Sequence, residues 1–522
     1  MAMSDVEIIR LAGIQVNPGD DGDTLDLREY APPEPPENGQ QLPAINEHGA
    51  VFWRGDDTEI AEALIAHWLG PHAVATAGEV WQWQPVKRGW VRIPTEALVC
   101  WLSTIAGAPV WGGLNRNQEP VLKPLVLSNA RIRGAVAIAY ARLHHDEDEG
   151  DFWTVDSLRK SGIVQFRDRA VVVDQIAGGR LKYTVRTPSP NLKVRASSVL
   201  PSSFRGIPDD LSNLGRDAPA FWSACWEWWG HHGEDEARAR TVAVLEFLGA
   251  SLLGMAPMMA RALMLYGPGG TGKSTLIEVL TRWCQARSIC SVTPQEMGLN
   301  RFATAQLDGA TLNVVDDLPA EPIKDAGAWK SSITGGRMGV ERKGQDGYTI
   351  YPRAGHIYAG NRLPVAVRAN SGFWRRWLVV EYDRVFAGTT QDRDVLGAIE
   401  ADMPAIISHA VRAFLDTGGR GGRGFTEPAC HRALMGQWET VSDSVAAFRD
   451  DCLSAVPGDW ERIRWPLRAE IFRAYRDYCE HVGRKPTSAT EFYARLASHG
   501  FEWIKSKGRR VLPVVLDPSE IG

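Results

Sequence analysis

The chain has 522 residues, 44% of them apolar and 23% charged, enough for roughly three to four folded domains and unlike a fibrous or low-complexity protein. No run of about eighteen apolar residues, no signal-peptide layout and no C-x-x-C pair among the seven cysteines argue against a membrane protein, a secreted disulfide scaffold or a structural zinc site. They point to a reducing cytoplasm as the natural setting. The net charge of −5 is uneven: residues 1–60 hold 13 acidic and 3 basic side chains, residues 461–510 hold 12 basic and 6 acidic, which suggests a localised polyanion contact.

Residues 1–50 are acidic and interrupted by APPEPPE, and read as a poorly ordered tail. Over 51–215 the pattern is mixed. Ile60, Leu64, Trp68 and Leu69 have helical spacing, whereas residues 81–83 and 89–93 form an expected strand pair. Residues 163–166, 170–173 and 181–185 suggest a further small β region. The run His144-His-Asp-Glu-Asp-Glu149 with Asp151 reads as a solvated loop rather than a metal cluster. Residues 216–253 turn helical, and Trp222, Trp226 and Trp229 are read as one core-facing stripe.

Residues 254–440 form an α/β module. An apolar run at 262–266 leads into GPGGTGKST, which contains the phosphate-loop pattern G-x-x-x-x-G-K-[ST] between an expected strand and an expected helix. Gly267, Gly269, Gly270, Thr271, Gly272, Lys273, Ser274 and Thr275 are the expected ATP-binding residues. Glycines let backbone N–H groups approach a polyphosphate, and a helix N-terminus adds favourable partial charge. Lys273 would reach the β and γ phosphates, and the Ser274 hydroxyl would ligate Mg²⁺. The segment LNVVDD places Asp316 and Asp317 after a second apolar strand, where one carboxylate would hold the Mg²⁺ shell and the other orient the attacking water.

A stretch rich in turn and basic residues follows, with Lys330, Arg337, Arg342 and Lys343, and suggests a hairpin able to track a phosphate backbone. HIYAGN then places Asn361 at a third strand end, as a γ-phosphate or water contact, though Asn361 also fits a plain turn. In GFWRRW, Arg375 and Arg376 either cap a helix or act as arginine fingers on a neighbouring subunit's γ-phosphate, a use that requires a ring. The glycine-arginine tract at 418–424 reads as a flexible loop. Within 441–522, a helix starting at Pro466, a second helix opened by a Ser488–Glu491 capping box, and strands around Lys507-Gly508 resemble a winged helix. Its hairpin would present Lys505, Lys507, Arg509 and Arg510 to DNA.

The order GPGGTGKST, LNVVDDLP, WKSSITGGRMGVERK, HIYAGNRLP and GFWRRWLVVEY resembles the superfamily 3 helicases of the phage/plasmid primase family, related to poxvirus-type primase-helicases. The resemblance covers about 200–450 and implies an AAA+ P-loop core with a parallel sheet, residues 216–253 as a helical collar, a helicase-associated domain over 51–215 and a winged helix at 441–522. It also implies a DNA-contacting hairpin, a finger in the Arg pair, a homo-oligomer of hexameric type, and single-stranded and forked DNA as partners. Many relatives carry an N-terminal primase domain, for which this chain has too few residues ahead of 51–215; a separate primase or other replication protein is then the expected partner. The expectation is an ATP- and Mg²⁺-dependent DNA helicase of a phage, plasmid or mobile element. An origin-binding initiator regulated by ATP and a small-molecule P-loop kinase are the alternatives.

Overall fold

The computed structural model describes residues 56–516 except 77, 108, 118, 119, 146–160, 283, 343–346, 367–370, 387–394, 420–423, 457–464, 482–485 and 507. The expected tail at 1–50, the acidic run after His145, the centre of the glycine-arginine tract, Lys343 and Lys507 lie outside the described residues.

Among the described residues, Asp56 opens the first helix, Asp57–Ala63, by accepting the Glu59 N–H at 2.9 Å. The helix continues as a π-turn over Leu64–Leu69 and ends at Gly70, whose φ of 68° suits glycine. Ile60, Leu64 and Leu69 pack against Leu98, Trp101 and Leu102 of the helix Thr95–Ser103 and Ile132 and Ala135 of the helix Asn129–Leu143. Beside them β1 (Ala73–Thr76), β2 (Glu79–Gln84) and β3 (Gly89–Ile93) form an antiparallel sheet. The expected tryptophan strand pair is β2–β3, with Trp83 opposite Trp90. A hairpin of β4 (Pro109–Leu114) and β5 (Pro120–Pro124) follows. The second expected β region is the antiparallel sheet β6 (Ser161–Gln165), β7 (Ala170–Gln175) and β8 (Leu181–Arg186).

The tryptophan-rich helix spans Pro219–Trp229, with proline in its first turn. Its buried stripe is Phe221, Ala224, Cys225, Trp228 and Trp229, an i, i+3, i+4, i+7, i+8 set. The expected stripe is therefore shifted: Trp226 lies on the opposite face and is 44% exposed. The next helix, Glu234–Leu252, is buried along most of its length and packs on the long helix Val395–Gly419. Gly249 makes that approach possible, since a Cβ there would sit 2.1 Å from the Ala410 carbonyl oxygen.

These helices lie against a five-stranded parallel sheet in the order β10-β11-β14-β9-β15, formed by β9 (Ala262–Tyr266), β10 (Ile289–Cys290), β11 (Leu312–Val315), β14 (Gly355–Gly360) and β15 (Trp377–Glu381). A small antiparallel pair, β12 (Met338–Val340) and β13 (Tyr348–Ile350), is inserted between β11 and β14. The sheet strands are near-continuous apolar runs because both faces are covered.

The C-terminal part joins the helices Ser444–Cys452, Arg468–His481 and Ala489–Ser498 around Phe448, Ile471, Tyr475 and Phe492. Strands β16 (Leu453–Ala455) and β19 (Val514–Leu516) pair with each other, as do β17 (Ile504–Ser506) and β18 (Arg509–Val511). Ser488 caps its helix as expected, accepting the Glu491 N–H, but the Glu491 carboxylate takes the Thr487 hydroxyl and Arg495. Among the described residues no helix is long and apolar enough to cross a membrane. The molecule is thus a mixed α/β protein built around one parallel sheet.

Candidate functional site

Parallel strands deliver their C-terminal ends to one edge of a sheet, and open α/β sheets bind ligands there. At that edge β9 runs into the glycine loop. The Gly267 N–H donates to the Gly360 carbonyl at 3.3 Å, so the loop leaves β9 level with the end of β14. Gly267 has φ 151°, and a Cβ on it would lie 1.8 Å from the Tyr382 carbonyl oxygen. Gly272 has φ 94°, and a Cβ there would meet the Trp228 indole at 2.3 Å. Gly270 also has positive φ, whereas Gly269 faces open space. Two of the glycines are therefore required by close packing, Gly267 against the segment after β15 and Gly272 against the tryptophan-rich helix. The Phe386 N–H donating to the Gly270 carbonyl at 2.9 Å adds to that backing.

The helix Lys273–Arg282 starts from this loop. The Lys273 ammonium is curled into it, donating to the Gly267 carbonyl at 2.7 Å and lying 3.3 Å from the Thr271 hydroxyl. Burial lowers its pKa, while the charges of Asp316 and Asp317 act in the opposite direction. The Ser274 hydroxyl donates to Asp316 Oδ1 at 3.1 Å, bringing together two oxygen donors of the type Mg²⁺ prefers. Thr275 follows in the first helical turn, half-buried. Loop N–H groups, a helix N-terminus, a partly buried ammonium and a hydroxyl–carboxylate pair fit a polyphosphate with a hard divalent cation.

Asp316 and Asp317 are exposed immediately after β11, and Asn361 is exposed immediately after β14. The structure brings these three side-chain positions to the same edge as Lys273. Underneath, a buried polar chain fixes the strands. Asn313 on β11 accepts the Val292 N–H at 2.7 Å and lies 3.0 Å from His356 Nδ1, and Tyr358 accepts the Trp329 indole N–H at 3.1 Å. Burial drives the His356 pKa down to about 3, so the ring is neutral.

Arg375 and Arg376 are placed elsewhere. They precede β15, at the N-terminal edge of the sheet, and the Arg376 carbonyl accepts the Ala262 N–H at 2.7 Å. The five-residue strand β9 separates them from the loop, roughly 16 Å of extended chain. Arg375 is exposed. Arg376 donates to the Gly372 carbonyl, has a buried Nε without a partner, and has its pKa lowered by burial and then by Arg375.

The basic elements divide. The expected hairpin corresponds to β12–β13, but Arg342, in the connection between the two strands, is not offered to a ligand. It pairs with Glu79 of β2 and with Asp308 at 3.1 Å, and lies 5.1 Å from the Tyr348 ring centroid. A partly buried guanidinium needs counter-charges, and two carboxylates supply them. Arg195 pairs with Asp308 from the other side at 2.9 Å. Lys330 is half-buried on the helix Gly327–Ile333, and Arg337 is exposed. Lys505, Arg509 and Arg510 are exposed on β17–β18, with Lys505 opposite Arg510. Sequence reading missed Glu79, Arg195 and the segment after β15. Each meets its partner across 100 residues or more, so no local pattern marks it.

A family model described as a family of unknown function (DUF5906) matches residues 265–376. That interval contains Lys273, Asp316, Asp317, Asn361, Arg375 and Arg376. No curated protein matches the sequence. Among solved structures, the chain is similar to the A form apo structure of the NrS-1 C-terminal region (TM-score 0.37, 12% identity, covering 70% of this chain and 98% of that one). It is similar also to the apo structure of the NrS-1 C-terminal region (305–718), with TM-score 0.38, 11% identity, and coverage of 71% and 100%.

Proposed function

We propose that the chain is an ATP-dependent DNA helicase or translocase of superfamily 3 type, with an AAA+ core and a winged-helix C-terminal part, working as a ring in replication of a phage, plasmid or related element. The observation that carries the reading is the convergence of Lys273, the Ser274–Asp316 pair, Asp317 and Asn361 at one edge of a parallel sheet. Lys273 would hold the phosphate oxygens, Ser274 and Asp316 would hold Mg²⁺, and Asp317 would orient the attacking water, with Asn361 sensing the γ-phosphate. Mg²⁺ would neutralise charge developing on the phosphates. The position of Arg375 and Arg376 at the far edge supports a role towards a second subunit, because they stand away from Lys273 of their own chain. Like charges placed opposite each other, as Lys505 and Arg510 are, weaken a strand pair unless a polyanion lies across them, which supports DNA as the partner.

One observation favours a second reading, an initiator in which ATP governs assembly on an origin with little processive unwinding. Arg342 is engaged by Glu79 and Asp308 rather than free to grip a moving strand. Phosphate release with and without single-stranded DNA, measured beside unwinding of a forked duplex and mass in a nonhydrolysable ATP analogue, tests both. DNA-stimulated hydrolysis, ring assembly and unwinding are expected. Assembly and hydrolysis without unwinding would favour the initiator, and hydrolysis indifferent to DNA would overturn both.

A further inference from the structure

The tryptophan-rich helix ends in a short 3₁₀ turn, Gly230–His232, that carries two consecutive histidines. Successive residues of a 3₁₀ helix point about 120° apart. Here the two rings nonetheless converge, with centroids 4.0 Å apart. Both present Nε2 to one carboxylate, His231 at 3.1 Å and His232 at 3.0 Å from Asp383, which lies two residues beyond β15. One ligand atom from each of the three residues falls within 4.8 Å of the others. In a tetrahedral zinc site with bonds of about 2.0–2.1 Å, ligand atoms are about 3.3 Å apart, so the two His–Asp edges already have nearly the required length. All three side chains are exposed enough for an ion to enter.

The surroundings favour a cation. Glu234 and Asp235 begin the next helix directly after the turn. Arg384, next to Asp383 in the chain, donates to the Glu227 carbonyl at 2.9 Å. We infer that His231, His232 and Asp383 form a binding site for a divalent transition-metal ion of the zinc class, with its fourth position open to water. Two imidazoles and a carboxylate select such an ion over Mg²⁺, which prefers oxygen ligands. The site is separate from the Ser274–Asp316 pair and does not rest on the nucleotide reading. Its position gives it a mechanical role. Asp383 adjoins Tyr382, whose carbonyl lies against Gly267, and Trp228 of the same helix lies against Gly272. A bound ion would therefore clip together the two segments that back the glycine loop.

The test uses the full chain, stripped with chelator, dialysed and titrated with zinc chloride in a calorimeter. One saturable equivalent is expected, with a rise in melting temperature on zinc addition. His232→Ala and Asp383→Asn should each lose at least about tenfold in affinity and lose the zinc-dependent rise. Asp383→Cys, which keeps an anionic ligand, should retain binding. Melting in chelator establishes that each variant is folded, and the double variant His231→Ala/His232→Ala, on exposed positions, replaces Asp383→Asn if that protein is unfolded. Lys273→Ala should bind zinc normally. Absence of a saturable site in the wild-type chain, unchanged affinity in the histidine double variant, or loss of binding in Lys273→Ala would each overturn the assignment.

Discussion

The glycine-loop edge of the sheet and the basic residues meant for DNA differ in how their side chains are held. At the sheet edge, position follows from the backbone: Gly267 and Gly272 are needed by close packing, Lys273 starts a helix, and Asp316 and Asn361 end neighbouring parallel strands. The basic residues have no such backbone requirement. Arg342 lies between Glu79 and Asp308, whereas Arg509 and Arg510 stay exposed. A charge does what its neighbours allow, and those neighbours are remote in sequence.

That contrast can be broken most sharply at Lys273. Replacing it with alanine should reduce phosphate release by on the order of 10³-fold or more, because transition-state charge loses its main contact. Asp317→Asn should stall turnover while an equilibrium assay with a fluorescent nucleotide still shows binding. Wild-type turnover in both proteins would end the claim that this edge is catalytic. Next in size is a pair of glycines. Gly267→Ala should destabilise by about 3 kcal/mol in urea denaturation, since its Cβ has nowhere to go, and Gly269→Ala, two residues along in open space, should be close to neutral. Equal effects at both positions would mean that the backing segment does not fix the loop.

His356 sharpens the comparison through pH. Its folded pKa of about 3 lies below the ordinary value of 6.5, so the unfolded chain binds the extra proton between those values. Stability is then fully present above pH 6.5 and is lost as the pH falls towards 3. Between pH 7 and 4.5 the wild-type protein should lose about 2–3 kcal/mol more than His356→Asn, by denaturant titration at each pH. Parallel losses in the two proteins would show that this ring is not the buried neutral group described.

Smaller effects are expected from the basic residues. If Arg342 is restrained by its carboxylate partners, Glu79→Gln should tighten single-stranded DNA binding severalfold at low salt and Arg342→Ala should weaken it. Fluorescence anisotropy showing no change in either would leave the ion pairs purely structural. Arg509→Ala should lower the slope of log affinity against log salt by about one, while the same change at Arg195, which is paired to Asp308, should leave that slope unaltered.

The same division governs what could be read from sequence. The glycine loop, the strand before it, the helix after it, the two acids after β11 and Asn361 after β14 were legible because their residue types are imposed locally. So were β2–β3 and β6–β8, through their apolar runs. The tryptophan stripe was misplaced because three tryptophans looked like one face. The helix instead buries Phe221, Ala224 and Cys225 together with Trp228 and Trp229, two of them smaller residues that carry little weight by eye. The Glu79–Arg342 pair was invisible, as was the Asp383 partnership with His231 and His232, because only the fold brings those residues together.

The strand order of the parallel sheet also has a consequence for synthesis on the ribosome. The strand that launches the glycine loop, β9, is the first of the five to be made, yet its two partners are β14 and β15. The first of them, β14, emerges about 90 residues later, which at about 10 residues per second leaves β9 unpaired for on the order of 10 s. Throughout that interval an apolar strand and its glycine-rich extension have no sheet to join. The nascent chain therefore needs either the preceding helices or a chaperone to shield this segment, and a ribosome stalled just before Gly355 should present the segment to proteases in a form that the finished protein does not.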